Sequence, residues 1–193
     1  AEAVADAAIE KGIPTEKKFF GVNTAREVRG SHNGADLIVG NNVLAHVPDL
    51  NDFVEGMKVL LNKGGAITME FPHLMQLIEQ HQFDTIYHEH FSYFSFHSVC
   101  QAFSRHELEI FDVEQLPSHG GSLRIFACHA DEADDRMCDR VSALHATEHE
   151  KKLDTLDGYS GFRPKVEKVK RDLLDFLIRQ KEAGKHVAGY GAP

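Results

Sequence analysis

The chain has 193 residues, 42% of them hydrophobic and 26% charged, a folded-domain composition that sets aside disordered, collagen-like and low-complexity classes. Its net charge of −9 argues against a nucleic-acid partner, which needs clustered Lys and Arg. No apolar run approaches the roughly 20 residues that span a bilayer, and no signal peptide is visible at the start, so a cytoplasmic location and no membrane partner are expected.

In chain order, Glu2 to Lys11 carries Val4, Ala8 and Ile9 on one helical face and stops at Gly12-Ile13-Pro14. Thr24 to Arg29 predicts a short helix after Phe19-Phe20. Asp36 to Asn41 is a short apolar run, expected as a strand buried on both faces. Asp49 then caps a helix with a stripe of Leu50, Phe53, Met57 and Leu60, ended by Gly64-Gly65. Ala66 to Phe71 reads as a strand closed by Pro72, which completes the strand–helix–strand unit of a parallel sheet. Ser98 to Arg105 reads as a helix, Leu108 to Leu116 as a strand, Ser118-His119-Gly120-Gly121 as a turn and Ser122 to His129 as the returning strand. The fold class is therefore α/β, with a mostly parallel sheet that finishes in an antiparallel hairpin.

From Asp131 to Gly184 the sequence turns charge-rich and helical, with Val166, Val169, Leu173, Phe176 and Leu177 as the clearest stripe. Lys185 to Gly191 looks like a new buried strand running into a glycine turn. That strand has no helix after it, and the first helix has no strand before it, so the chain reads as an internal piece of a longer protein. The expected division is residues 1–130, a helical segment 131–184, and the truncated start of a second α/β domain at 185–193. Exposed sheet edges in such a piece predict self-association.

Cys100, Cys128 and Cys138 form no CxxC pair and read as reduced thiols, which does not support a cysteine-based zinc site. The unusual feature of the composition is histidine, 13 residues, several between His73 and His106. The segment from Phe83 to Ser95 packs Tyr87, His88, Glu89, His90 and Tyr93 together. If it is extended, His88 and His90 share a side and supply two ligands of a metal site that still needs a third. If it is a helical turn, Tyr87 and His90 share a face, with Glu89 about 100° round the helix. Upstream, Asn41 and Asn42 stand where the first buried strand ends, the end at which open α/β sheets bind ligands, and His46 follows.

The run from Asn41-Asn42-Val43-Leu44 through His46-Val47-Pro48-Asp49 to Glu70-Phe71-Pro72 resembles the middle of a class I S-adenosylmethionine-dependent methyltransferase. The resemblance implies a partial Rossmann-like sheet in which Asn41 and Asn42 line the cofactor pocket. Phe83 to Ser95, Leu116 to Arg124 and Gly189-Tyr190-Gly191-Ala192-Pro193 further resemble the C-methyltransferases that act on a keto-deoxysugar bound to a nucleoside diphosphate. That resemblance places Tyr87, Glu89 and His90 on active-site positions, His90 on that of the base, and His46 on a further active-site histidine. It makes His119, Gly120, Gly121, Ser122, Tyr190 and Gly191 candidates for the nucleotide-sugar substrate. It also implies S-adenosylmethionine as cofactor, no metal at the site, and zinc only in a cysteine-rich N-terminal domain absent here. The cofactor's glycine-rich loop is likewise absent, so this chain is expected to bind S-adenosylmethionine weakly or not at all.

The residue types suit the chemistry. Carbon methylation beside a ketone needs a base, and imidazole with an ordinary pKa of about 6.5 serves near neutral pH. A neighbouring carboxylate, Glu89, is expected to orient the ring, and Tyr87 to donate to the developing oxyanion. The alternatives are a metal-dependent hydrolase built on His88 and His90, and a methyltransferase for a different acceptor.

Overall fold

The computed structural model describes residues 2–191. Its centre is a four-stranded sheet of β1 (Ala35–Asn41), β2 (Leu61–Pro72), β3 (Leu108–Leu116) and β4 (Ser122–His129), in the order β1-β2-β4-β3. The β1–β2 pair is parallel, and β4 runs antiparallel to both β2 and β3. A crossover helix, α3 (Leu50–Leu60), joins the parallel pair. Its first turn is capped by the Asp49 side chain, which accepts from the Asp52 N–H at 3.0 Å. Its last turn is closed by Arg29 from α2 (Val22–His32), whose guanidinium donates to the carbonyls of Val59, Leu60 and Leu61.

Ile67, Met69 and Phe71 of β2 share a core with Leu123 and Ile125 of β4, Phe53 and Met57 of α3, and Phe96, Val99 and Phe103 of α5 (Phe96–Ser104). The alternation of strand side chains decides which residues join it. In β1, Ile38 packs against that core, while Leu37 and Val39 are 61% and 58% exposed. The expectation that β1 is buried on both faces is therefore corrected: it is an edge strand, and its second face is uncovered. Strand β2 also starts earlier than expected, at Leu61. Gly64 at φ 76° sits in an irregular stretch between the Ala35–Leu61 and Leu37–Ala66 pairings, so the two glycines belong to the strand and do not end the helix.

The remaining helices are α1 (Glu2–Glu10), α4 (Leu74–Glu79), α6 (Asp139–Glu150) and α7 (Phe162–Glu182). Helices α1 and α7 bury no residue, and Leu173 and Phe176 of α7 are exposed. Residues 185–191, expected as a buried strand, are irregular and exposed, since among the described residues no strand lies alongside to complete their backbone pairing. Ala192 and Pro193 of the terminal motif lie outside the described residues. No helix among the described residues is long and apolar enough to cross a membrane.

Candidate active site

The carboxyl ends of β1 and β2 open on the same side. Past β1, Asn42 adopts φ 53° and donates its N–H to the Glu70 carbonyl at 2.7 Å. The chain then makes a tight turn over Leu44–His46, with Leu44 and Ala45 buried. Past β2 come α4, a second tight turn at Phe83–Thr85 and an irregular segment leading to Ser95, which caps α5.

These two exits are clipped together by main chain. The Ala45 carbonyl accepts from the N–H groups of Phe91 (2.8 Å) and Ser92 (3.3 Å). His46 adds a side-chain tie, its Nδ1 donating to the Glu89 carbonyl at 2.9 Å. His90 Nδ1 donates to the Thr85 carbonyl at 3.0 Å. Because a carbonyl only accepts, both rings carry their proton on Nδ1 in the neutral state, and Nε2 holds the lone pair. The Tyr87 hydroxyl lies 3.2 Å from His90 Nε2 and donates to it. The His90 ring is enclosed by those of Tyr87 (centroids 4.4 Å apart), His46 (4.8 Å) and Tyr93 (5.5 Å). It is half-buried and lines a small hollow with Ala45, Pro72, Leu74, Leu77 and Thr85.

Of the residues predicted from sequence, His46, Tyr87 and His90 are thus brought together. Glu89 is near them but acts differently. Its carboxylate has no hydrogen-bond partner among the described residues, and the group that orients His90 is the Thr85 carbonyl; Glu89 contributes its own carbonyl to His46. His88 is exposed and shares no bond with His90. No group of three or more His, Cys, Asp or Glu among the described residues stands close enough to hold a metal ion. Asn41 is exposed at the strand end, whereas Asn42 Oδ1 is buried without a partner.

The β3–β4 turn stands at this same end, since Ser122 pairs with Pro72. His119, Gly120 and Gly121 all take positive φ, at 52°, 78° and 122°. The Ser122 hydroxyl is turned inward and donates to the Ser118 carbonyl at 2.9 Å. Ser118 donates in turn to Glu70, which also accepts from Arg124, both at 2.8 Å. The Ser118 hydroxyl and then Arg124 outweigh burial and hold the Glu70 carboxyl below the usual carboxylate range. Tyr190 and Gly191 lie on the exposed final run and make none of these bonds.

Sequence reasoning missed a buried pair beside this end of the sheet. His73, between β2 and α4, and Glu148 of α6 are each 1% exposed, and His73 Nε2 lies 2.7 Å from Glu148 Oε1. The same carboxylate accepts the N–H groups of Phe96 (2.7 Å) and His97 (2.8 Å) at the start of α5. Burial raises the proton affinity of Glu148, but these three donors outweigh it and leave the carboxyl below its ordinary range.

The chain thus joins an α/β sheet to a His–Tyr cluster at the carboxyl ends of its parallel strands, and comparisons with known proteins give its family. Residues 4–113 match the family described as methyltransferase domain, and the chain belongs to that family. Residues 117–193 match a second family, the C-methyltransferase C-terminal domain. The chain is 35% identical over 193 residues to C-methyltransferase NovU of Streptomyces niveus, covering all of this chain and 46% of that protein. It therefore spans about half the length of the curated relative it matches. Among solved structures it is similar to LaPhzM (TM-score 0.43, 15% identity, 67% of this chain and 40% of that one). It is also similar to an S-adenosylmethionine-dependent methyltransferase from Anabaena variabilis (TM-score 0.43, 14% identity, 57% and 55%).

Proposed function

We propose that the whole protein is an S-adenosylmethionine-dependent C-methyltransferase of a nucleoside-diphosphate keto-deoxysugar, and that this chain supplies its base. The observation that carries the reading is the state of His90: Nδ1 is tied to a backbone carbonyl, and the basic Nε2 faces a tyrosine hydroxyl. The 35% identity to a protein named as a C-methyltransferase supports the same choice.

S-adenosylmethionine, when bound, supplies an electrophilic methyl group on a sulfonium. Asn42 fits such a partner, because its buried Oδ1 has no donor and stands where β1 opens. His90 Nε2 takes the proton from the carbon beside the ketone, and the electron pair of that C–H bond passes into an enolate. Tyr87, displaced from Nε2 by the substrate, turns its O–H to the enolate oxygen. With the cofactor held beside Asn42, its sulfonium would supply the methyl group for the enolate carbon that His90 generates, leaving as the neutral thioether. His46 keeps the segment in place through Glu89.

The test is α-proton exchange in deuterated water, followed by NMR on the whole protein with a nucleoside-diphosphate 4-keto-6-deoxyhexose. His90→Asn is expected to abolish exchange and methylation together. Exchange at the parent rate in that variant would remove His90 from the base role.

A further inference from the structure

At the carboxyl end of β2, an open cleft of about 500 Å3 lies between α4 and the β3–β4 turn. No Arg, Lys, Asp or Glu lines it. Its polar groups are chiefly amides, and two of them belong to a chain that runs along the cleft. Gln80 Nε2 donates to Gln76 Oε1 at 2.7 Å, and Gln82 Nε2 donates to Gln80 Oε1 and to the Gly120 carbonyl, both at 2.8 Å. Gly121 lets the backbone meet this wall closely, since a Cβ there would fall 2.6 Å from Gln76 Cγ.

His73 also lines the cleft, fixed on two sides. Its N–H donates to the Gly121 carbonyl at 3.0 Å, and its Nε2 is engaged by Glu148. The remaining ring nitrogen, Nδ1, is closed to solvent and has no partner. With the ring proton held on Nε2 by the carboxylate, Nδ1 is an acceptor in want of a donor, which buried polar atoms rarely lack. A phosphate offers no donor at neutral pH and is drawn to cations, none of which is present here. A hydroxyl offers both a donor for Nδ1 and an acceptor for the amides.

Resting on the keto-sugar reading above, we infer that this cleft seats the neutral, hydroxyl-bearing sugar ring of the acceptor, with a ring hydroxyl donating to His73 Nδ1. Glu148 is a positioning residue that fixes the tautomer, and the diphosphate is held outside this cleft. Because Nδ1 is closed to solvent, a ligand's donor reaches it only as the side chains that cover it move aside.

The experiment is a 1H–15N NMR titration of the histidine rings and glycine amides of the 193-residue chain. The probes are UDP-glucose and dTDP-glucose, with UDP and dTDP alone as controls. The expected result is a His73 ring protonated on Nε2 only, whose Nδ1 resonance moves saturably with a sugar nucleotide and stays still with the nucleoside diphosphates. His73→Gln keeps a donor for Glu148 but lacks Nδ1, and is expected to raise the dissociation constant at least tenfold on the order of one lost buried hydrogen bond. The inference is overturned if Nδ1 carries a proton in the free chain, or if neither sugar nucleotide moves Nδ1. Movement of the Gly120 and Gly121 amides with the bare diphosphates, or unchanged affinity in His73→Gln, overturns it equally. Should that variant not fold, the titration of the parent chain decides alone. None of these results touches His90, whose exchange assay fails or succeeds separately.

Discussion

Replacing Glu148 with alanine removes one carboxylate from a position that is 1% exposed and leaves three donors without an acceptor: the His73 ring and the N–H groups of Phe96 and His97. Each buried group left unpaired costs about 1–3 kcal/mol. The three do not simply add, because water enters the emptied space, so together they cost about 3–5 kcal/mol. For a chain of this size each kcal/mol moves the melting midpoint by about 2–4 °C, so the expected fall is roughly 6–20 °C. Thermal unfolding followed by circular dichroism measures it, and a fall below about 2 °C would refute the reasoning. The pH dependence has a definite sign. Burial alone would raise the Glu148 pKa, but its three donors hold it below the ordinary value. A depressed carboxyl contributes stability above its unfolded pKa of about 4.3 and loses it as pH falls through the folded value. The gap between parent and Glu148→Ala is therefore constant near neutrality and closes in acid, below about pH 4.

Tyr87→Phe removes the hydroxyl beside His90 Nε2 and is expected to lower kcat of the whole protein about 100-fold with little change in KM, read by steady-state methyl transfer. Gly120→Ala places a Cβ 2.4 Å from Gln82 Nε2 at φ 78°, and urea unfolding should show a loss of about 1–3 kcal/mol. Asp49→Ala strips the cap of α3; a loss of about 1 kcal/mol with an unchanged denaturant slope is expected in the same assay.

Strands β3 and β4 are legible in the sequence because each is an alternating run bounded by turn residues, and the structure gives them at Leu108–Leu116 and Ser122–His129. The parallel β1–α3–β2 unit is legible for the same kind of reason, through the Asp49 cap and the apolar stripe after it. What the sequence hides is partnership. Nothing local says that Leu37 and Val39 lack cover, or that β4 slots between β2 and β3. Lys185 to Gly191 has a strand's composition, yet strand formation depends on a neighbour. His46, Tyr87 and His90 are legible as a cluster from residue type alone. The identity of the group that orients His90 is not, because a backbone carbonyl leaves no trace in side-chain chemistry. Glu148 is hidden for another reason: Thr147-Glu148-His149-Glu150 reads as a solvated helix face, and only the fold turns one of its carboxylates inward.

The double clip of Phe91 and Ser92 to the Ala45 carbonyl is made entirely of peptide groups, which every amino acid except proline can supply. Side chains at Ile86, His88 and Phe91, all exposed, are thereby relieved of architectural duty. Exchanging Ile86, His88 or Phe91 singly should therefore leave the two strand exits joined as they are.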